Sequence, residues 1–162
     1  FYDLKEYYYD IYNDSHIIKK IIETLRKYPP LPTLNRVCSS DYTIPNTNVT
    51  LRKGTKVFVS SLGMHRDEEY YPNPTKFDPE RFSEENKTSR PAFSFLPFGE
   101  GPRICIGLRF GLMQVKTGLS MILNNYRITP EESDDYHICF DPKTFILSKK
   151  GAVKLRTEKL RA

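Results

Sequence analysis

Residues 67–97 carry repeated prolines and show neither a helical nor a strand period. A structureless run of that length does not persist inside a compact domain. The stretch therefore has to be a structured meander, tied down by specific side-chain contacts or by a bound cofactor. Any fold for this chain must supply those anchors on both sides of it.

The anchor on the N-terminal side is clear. Ile17, Ile18, Ile21, Ile22 and Leu25 recur at helical spacing. That places one apolar stripe on a helix of about three turns starting at Ser15. Asp14 or Ser15 is a candidate cap, and Pro29-Pro30 ends the helix. Residues 1–14, rich in tyrosine and charge, read as weakly helical or irregular. Leu31 to Ser40 reads as extended. Two short strands are expected near Tyr42–Ile44 and Val57–Ser60, joined by a polar turn ending in Gly54. Residues 61–66 read as a short helix.

On the other side, the helical period returns from Cys105 to about Leu123, with Leu108, Leu112, Val115, Leu119 and Ile122 on one face and Asn124-Asn125 as the stop. Tyr126 to Leu155 reads as short strands with turns around Asp141-Pro142 and Lys149–Gly151. The fold class is thus α+β, mainly helical, with short sheets. At 162 residues and 38% hydrophobic content the chain has the size of one globular domain.

Composition removes several functions. The three cysteines, Cys38, Cys105 and Cys139, are odd in number and lack C-x-x-C spacing. This argues against a disulfide framework or a zinc site and fits a reduced compartment. No apolar run reaches the ~18 residues of a membrane span. The net charge is +5. Its basic residues are dispersed and no DNA or RNA motif appears, so a nucleic-acid module is disfavoured.

One cysteine stands out. In Phe98-Gly99-Glu100-Gly101-Pro102-Arg103-Ile104-Cys105-Ile106-Gly107 it sits where a glycine-rich turn becomes an apolar helix. A helix start favours an anion such as a thiolate, and turn glycines let the backbone bend sharply and approach a flat ligand. A buried inert cysteine is the commoner case, but it leaves Phe98, Gly101, Arg103 and Gly107 at their offsets without a reason. A loop that holds one sulfur anion as a ligand accounts for all of them. Dinucleotide and P-loop readings fail. The first needs a glycine where Ile104 stands. The second needs one where Val49 stands, and Thr55-Lys56 is in reversed order.

A second constellation is Glu23-Thr24-Leu25-Arg26, whose carboxylate and guanidinium share one helix face. Alone it reads as a surface ion pair of a few tenths of a kcal/mol. Phe77-Asp78-Pro79-Glu80-Arg81-Phe82 adds a second arginine within the meander. Glu23, Arg26 and Arg81 together are a candidate buried network that pins it, costly unless fully bonded.

The order Glu-x-x-Arg at Glu23/Arg26, Pro-Glu-Arg-Phe at Pro79–Phe82, and Phe-x-x-Gly-x-Arg-x-Cys-x-Gly from Phe98 to Gly107 resembles the C-terminal third of a cytochrome P-450, a haem-thiolate monooxygenase. The resemblance covers residues 15 to about 156. Glu23–Pro30, Tyr70–Pro74 and Gly107–Gly111 look most like insect microsomal members that oxidise plant toxins and insecticides. The resemblance implies haem b as cofactor, with Cys105 as its axial iron ligand. Phe98 would cover the sulfur side, with Gly99 and Gly107 among the cofactor-binding residues of the loop. Arg103 and Arg36 would contact haem propionates. Glu23, Arg26 and Arg81 would form a structural triad. Leu31, Thr33 and Leu34, with the turn holding Thr144, Phe145 and Ile146, would border the substrate pocket.

The implied reaction inserts one oxygen atom from O2 into lipophilic substrates, xenobiotics or endogenous lipids and hormones. Electrons would come from an NADPH-cytochrome reductase, a flavoprotein, with cytochrome b5 as a further candidate donor. Arg109, Lys116, Lys87 and Arg90 flank the cysteine loop in sequence and are a candidate docking face. The implied location is the cytosolic face of the endoplasmic reticulum membrane. The family's long central helix with its acid–alcohol pair, its first haem-flanking helix and its membrane anchor have no counterpart in these residues. Residues 1–162 are therefore expected to be a partial domain with no catalytic residue of its own and no activity in isolation. Rival readings are a haem-thiolate isomerase or dehydratase that needs no reductase, and a non-catalytic truncated product.

Overall fold

The computed structural model describes residues 15–87, 90–130 and 138–160. The expectation for residues 1–14, and the cap assigned to Asp14 or Ser15, fall outside the described backbone and side chains. The first helix, α1, spans Ser15–Lys27. Ile21 is buried, while Ile17, Ile18, Ile22 and Leu25 are half-buried. This is the stripe that the spacing predicts. The Tyr28 N–H still bonds the Thr24 carbonyl at 2.8 Å, and the buried Pro29, lacking an N–H, stops the helix.

Strand β1, Leu34–Val37, pairs antiparallel with β4, Lys56–Val59; Leu34 faces Val59 and Val37 faces Lys56. Between them, β2 (Tyr42–Thr43) and β3 (Thr50–Leu51) form their own small hairpin. The two strands expected around residues 42–44 and 57–60 therefore exist but do not pair with each other. Each found a partner in a segment whose period was too short to show: Thr50–Leu51 is two residues long, and β1 lay within a run read only as extended. The single turn α2, Ser61–Met64, follows β4 directly. It docks through Ser61 Oγ, which donates to the Leu31 carbonyl at 2.8 Å, and through the Leu62 N–H to the Pro32 carbonyl at 3.0 Å.

The meander contains a 3-10 turn at Pro79–Phe82, capped by the Asp78 carboxylate on the Glu80 N–H at 3.2 Å, and a single helical turn α3, Glu84–Lys87. A second 3-10 turn, Gly101–Arg103, lies inside the cysteine loop. The long helix α4 runs Leu108–Asn125. It is followed by β5, Tyr126–Pro130, which pairs antiparallel with β6, Leu155–Lys159. Phe140 and Lys149 form an isolated bridge that closes the turn around Asp141-Pro142.

Helix α4 differs from expectation in where it begins. It starts at Leu108, not Cys105. Ile104 has extended geometry (φ −57°, ψ 149°) and the Cys105 N–H is taken by the Phe98 carbonyl at 3.0 Å, so no helix runs through the cysteine. Its apolar stripe is not turned to a core. Leu108 and Leu112 are half-buried, but Val115, Leu119 and Ile122 are exposed. Most of its length has no covering layer among the described residues. The core lies instead around Ile21, Leu34, Tyr71 and Leu96, interleaved with the buried polar residues Glu23, Arg26, Ser61, His65 and Ser94. No described helix is long and apolar enough to cross a membrane.

Candidate functional site

Glu23 and Arg26, one helical turn apart on α1, are both fully buried. They form a two-pronged pair: Arg26 Nε donates to Glu23 Oε2 at 2.7 Å and Nη2 to Oε1 at 2.8 Å. Such fork-to-fork geometry compensates desolvated charges only when the remaining donors and lone pairs are also used; here backbone groups take up most of them, while Arg81 Nε, buried beside the pair, has no hydrogen-bond partner. Arg26 Nη1 donates to the His65 carbonyl at 2.7 Å, Nη2 to the Pro74 carbonyl at 2.8 Å and more weakly to that of Lys76 at 3.3 Å. Glu23 Oε1 accepts the Asp78 N–H at 2.9 Å. The Arg26 guanidinium also lies over the Tyr71 ring, 5.2 Å from its centre. Arg81 joins from the meander, its Nε 3.8 Å from Glu23 Oε1 and its Nη2 donating to the Asn73 carbonyl at 2.9 Å. Asn73 aims that carbonyl from a left-handed backbone (φ 52°), which asparagine tolerates.

This cluster continues toward the cysteine loop through residues to which sequence reading gave no part in it. His65 is fully buried. Its Nε2 accepts the Leu96 N–H at 2.9 Å, and its Nδ1 lies 3.2 Å from the Arg26 carbonyl. The ring stacks on Phe95 at 5.3 Å. Tyr71 donates its hydroxyl to the Ser94 carbonyl at 3.1 Å, and burial raises its pKa. The Arg90 guanidinium covers the Phe82 ring at 4.2 Å and donates to the Arg81 carbonyl at 2.9 Å. Repeated aromatic residues beside prolines were the available signal for these contacts.

Beyond Leu96 the chain enters the cysteine loop. The Gly99 N–H bonds the Leu96 carbonyl at 3.2 Å, and the Cys105 N–H closes the loop on Phe98. Gly99 (φ +74°) and Gly101 (φ +79°) sit in the left-handed region. A Cβ on Gly99 would also lie 3.4 Å from Arg36 Nη2 and 3.9 Å from Leu34 Cδ1. Strand β1 thus lays Arg36 against the loop. Arg36 and Arg103 line one cavity of about 790 Å³, shared with Asn35, Val37, Ser39, Lys56 and Phe58. Neither arginine pairs with a carboxylate among the described residues. Cys105 itself is exposed, as are Ile104, Ile106 and Phe110 around it. A Cβ at Gly107 or Gly111 would meet nothing. Phe98 is half-buried, and its documented tie to Cys105 is through the backbone. No group of three or more His, Cys, Asp or Glu side chains suited to a metal ion occurs among the described residues.

The expected pocket-border residues fall at one end of α1. The Leu147 N–H bonds the Pro30 carbonyl at 2.9 Å, which brings the turn carrying Phe145 and Ile146 next to Leu31. Leu34 is buried, Leu31 half-buried, and Thr33, Phe145 and Ile146 are exposed. The candidate docking cations do not form one free face. Arg90 is committed to Phe82 and the Arg81 carbonyl, and burial lowers the pKa of the half-buried Lys116. Arg109 is exposed, and the Lys87 side chain is outside the description. Proximity of Arg90 in sequence to the cysteine loop does not reveal its stacked partner Phe82.

Comparison with known proteins identifies the family to which these residues belong. The family model for cytochrome P450 matches residues 16–155. Cytochrome P450 6k1 of Blattella germanica is 46% identical over 151 residues, 93% of this chain and 29% of the relative. Cytochrome P450 6j1 of the same organism is 45% identical over 152 residues, 94% of this chain and 30% of that protein. A probable cytochrome P450 6a13 of Drosophila melanogaster is 42% identical over 153 residues, 94% of this chain and 31% of its own length. The chain therefore spans under a third of the length of these relatives. With a matching family model over most of its residues and relatives at this identity, the chain belongs to the cytochrome P450 family.

Proposed function

We propose that this chain is the C-terminal, haem-binding part of a monooxygenase that inserts one atom of O2 into lipophilic small molecules, xenobiotics or endogenous lipids and hormones. Its electrons would come from an NADPH-dependent flavoprotein reductase, with cytochrome b5 as a further donor. The proposed location is the cytosolic face of the endoplasmic reticulum. The observation that carries the reading is the loop itself: an exposed Cys105 with its own N–H anchored on Phe98, beside a cavity lined by two arginines that have no carboxylate partner among the described residues.

The family's cofactor is haem, and the residues present fit it. A flat apolar ring with two carboxylates needs a soft axial donor, apolar surface, open backbone and cations at its edge. Cys105 offers the sulfur. Ile104, Ile106 and Phe110 offer exposed apolar surface, and Gly107 leaves open space. Arg36 and Arg103, which line one cavity, would pair with the carboxylates. When bound, haem supplies dioxygen activation and one-electron chemistry. The chain's own residues do the rest. Cys105 would hold the haem iron through its sulfur as a thiolate. The Phe98 carbonyl fixes the cysteine backbone, and the Glu23–Arg26–Arg81 cluster holds the meander that precedes it. With haem bound against them, the apolar residues near the sulfur would limit water access, which tunes a metal site's potential.

In the full-length protein, the reduced, carbon-monoxide-bound Soret band is expected at the family's eponymous wavelength, and Cys105→Ser is expected to abolish it. A spectrum unchanged by the substitution would end the assignment of Cys105.

A further inference from the structure

His65 stands between the buried ion cluster and the cysteine loop, and its bonding is asymmetric. A carbonyl accepts only, so His65 Nδ1 must donate to the Arg26 carbonyl at 3.2 Å. A backbone N–H donates only, so Nε2 must carry a lone pair to accept from Leu96 at 2.9 Å. One neutral tautomer satisfies both. The backbone carbonyl of the same residue accepts from Arg26 Nη1 at 2.7 Å. His65 is thus bonded to Arg26 in both directions, through side chain and main chain. Phe95 stacks on one side of the ring and Tyr71 meets it edge-on at 6.3 Å. Rotation of the ring would cost both hydrogen bonds in a site with no water-exposed surface.

Leu96, the residue that His65 holds, is buried and precedes the loop by two residues. Its carbonyl accepts the Gly99 N–H at 3.2 Å, and the next link is Phe98 to Cys105 at 3.0 Å. The sequence of contacts is continuous: Glu23 to Arg26, Arg26 to His65, His65 to Leu96, Leu96 to Gly99, Phe98 to Cys105.

We propose that His65 is a positioning residue for the Cys105 ligand, in one fixed neutral tautomer, setting the entry of the cysteine loop by holding the Leu96 N–H. The proposal rests on Cys105 being the thiolate ligand, but its hold on the loop is measurable without that. The ring's shape is not what matters; the paired donor and acceptor are. Gln can present an amide N–H and a carbonyl in their place, whereas Leu fills space with neither.

The test uses the full-length protein with His65→Gln and His65→Leu. Hydrogen exchange followed by mass spectrometry is read over residues 94–106. His65→Leu is expected to speed exchange there about tenfold, the consequence of one lost buried bond, and His65→Gln to stay near wild type. In the reduced carbon monoxide spectrum, His65→Leu is expected to retain haem but move much of it to a band without thiolate character; His65→Gln is expected to keep the thiolate band. Wild-type exchange and a wild-type spectrum in His65→Leu would overturn the proposal, and so would equal effects of both substitutions. If His65→Leu does not fold, 15N-histidine spectra of the wild type decide: the Nδ1–H tautomer is expected, and the Nε2–H tautomer overturns it. A wild type without the thiolate band would sink the reading of Cys105, while exchange and tautomer would still report on His65.

Discussion

Arg26 makes five hydrogen bonds with no exposed surface, two to Glu23 and three to backbone carbonyls of His65, Pro74 and Lys76. Removing it leaves the Glu23 carboxylate buried with only the Arg81 guanidinium, 3.8 Å away, as counter-charge. Arg26→Leu is therefore expected to destabilise the full-length protein by about 3–5 kcal/mol, read as a lower denaturant midpoint. A loss below about 1 kcal/mol would mean that the cluster is dispensable to stability. His65 adds a pH dependence. Burial, and then the Arg26 charge, lower its pKa to about 4, against 6.5 for an ordinary histidine, while its bond to the Arg26 carbonyl pulls the other way. Glu23 and Tyr71 are the other titratable groups of this cluster. As pH falls, the unfolded chain takes up the histidine proton first. The stabilisation is thus complete above about pH 6.5 and is lost progressively down to about pH 4, by up to about 3 kcal/mol. Denaturant midpoints at pH 7 and pH 5 should differ more in the wild type than in His65→Gln. An equal difference in both would remove His65 as the cause.

Among the elements, the cysteine loop shows why two glycines of similar geometry are not equivalent. Gly99 and Gly101 both have φ near the left-handed minimum, so alanine at either costs on the order of 1 kcal/mol in backbone strain. Around Gly101 there is open space, whereas at Gly99 an added Cβ comes to 3.4 Å from Arg36 Nη2. Gly99→Ala is expected to shift Arg36 and raise the rate of haem loss to an apo-globin scavenger several-fold more than Gly101→Ala. Equal rates would show that Arg36 does not depend on this contact. The strands carry the opposite lesson. Alternation located the strands near residues 42 and 57, yet their partners were set by which segment the chain brought alongside.

For the whole molecule, the decisive feature is the apolar surface left uncovered. Ile106, Phe110, Val115, Leu119, Ile122 and Phe58 are all exposed, and three of them share the apolar face of α4. Single exposed apolar residues are ordinary, but a contiguous patch of them marks a contact surface. The isolated 162-residue chain is expected to bind a hydrophobic dye strongly and to give no product with reductase and NADPH. Turnover by the isolated chain would overturn the view that it holds only part of the site, and weak dye binding would mean that α4 is covered.

The sequence by itself determined what rests on short-range chemistry. The period of Ile17 to Leu25 made α1, Pro29 ended it, and the glycines, Arg103 and Cys105 marked the cysteine loop within ten residues of chain. The tertiary structure alone decided what rests on long-range contact. It paired β1 with β4, drew Arg90 onto Phe82, set Arg36 against Gly99, and placed His65 between Arg26 and Leu96, 39 and 31 residues away. A lone histidine between a helical turn and a charged run has no local pattern to betray it. Its role exists only because two distant backbone groups converge on its two nitrogens, where burial leaves them no other partner.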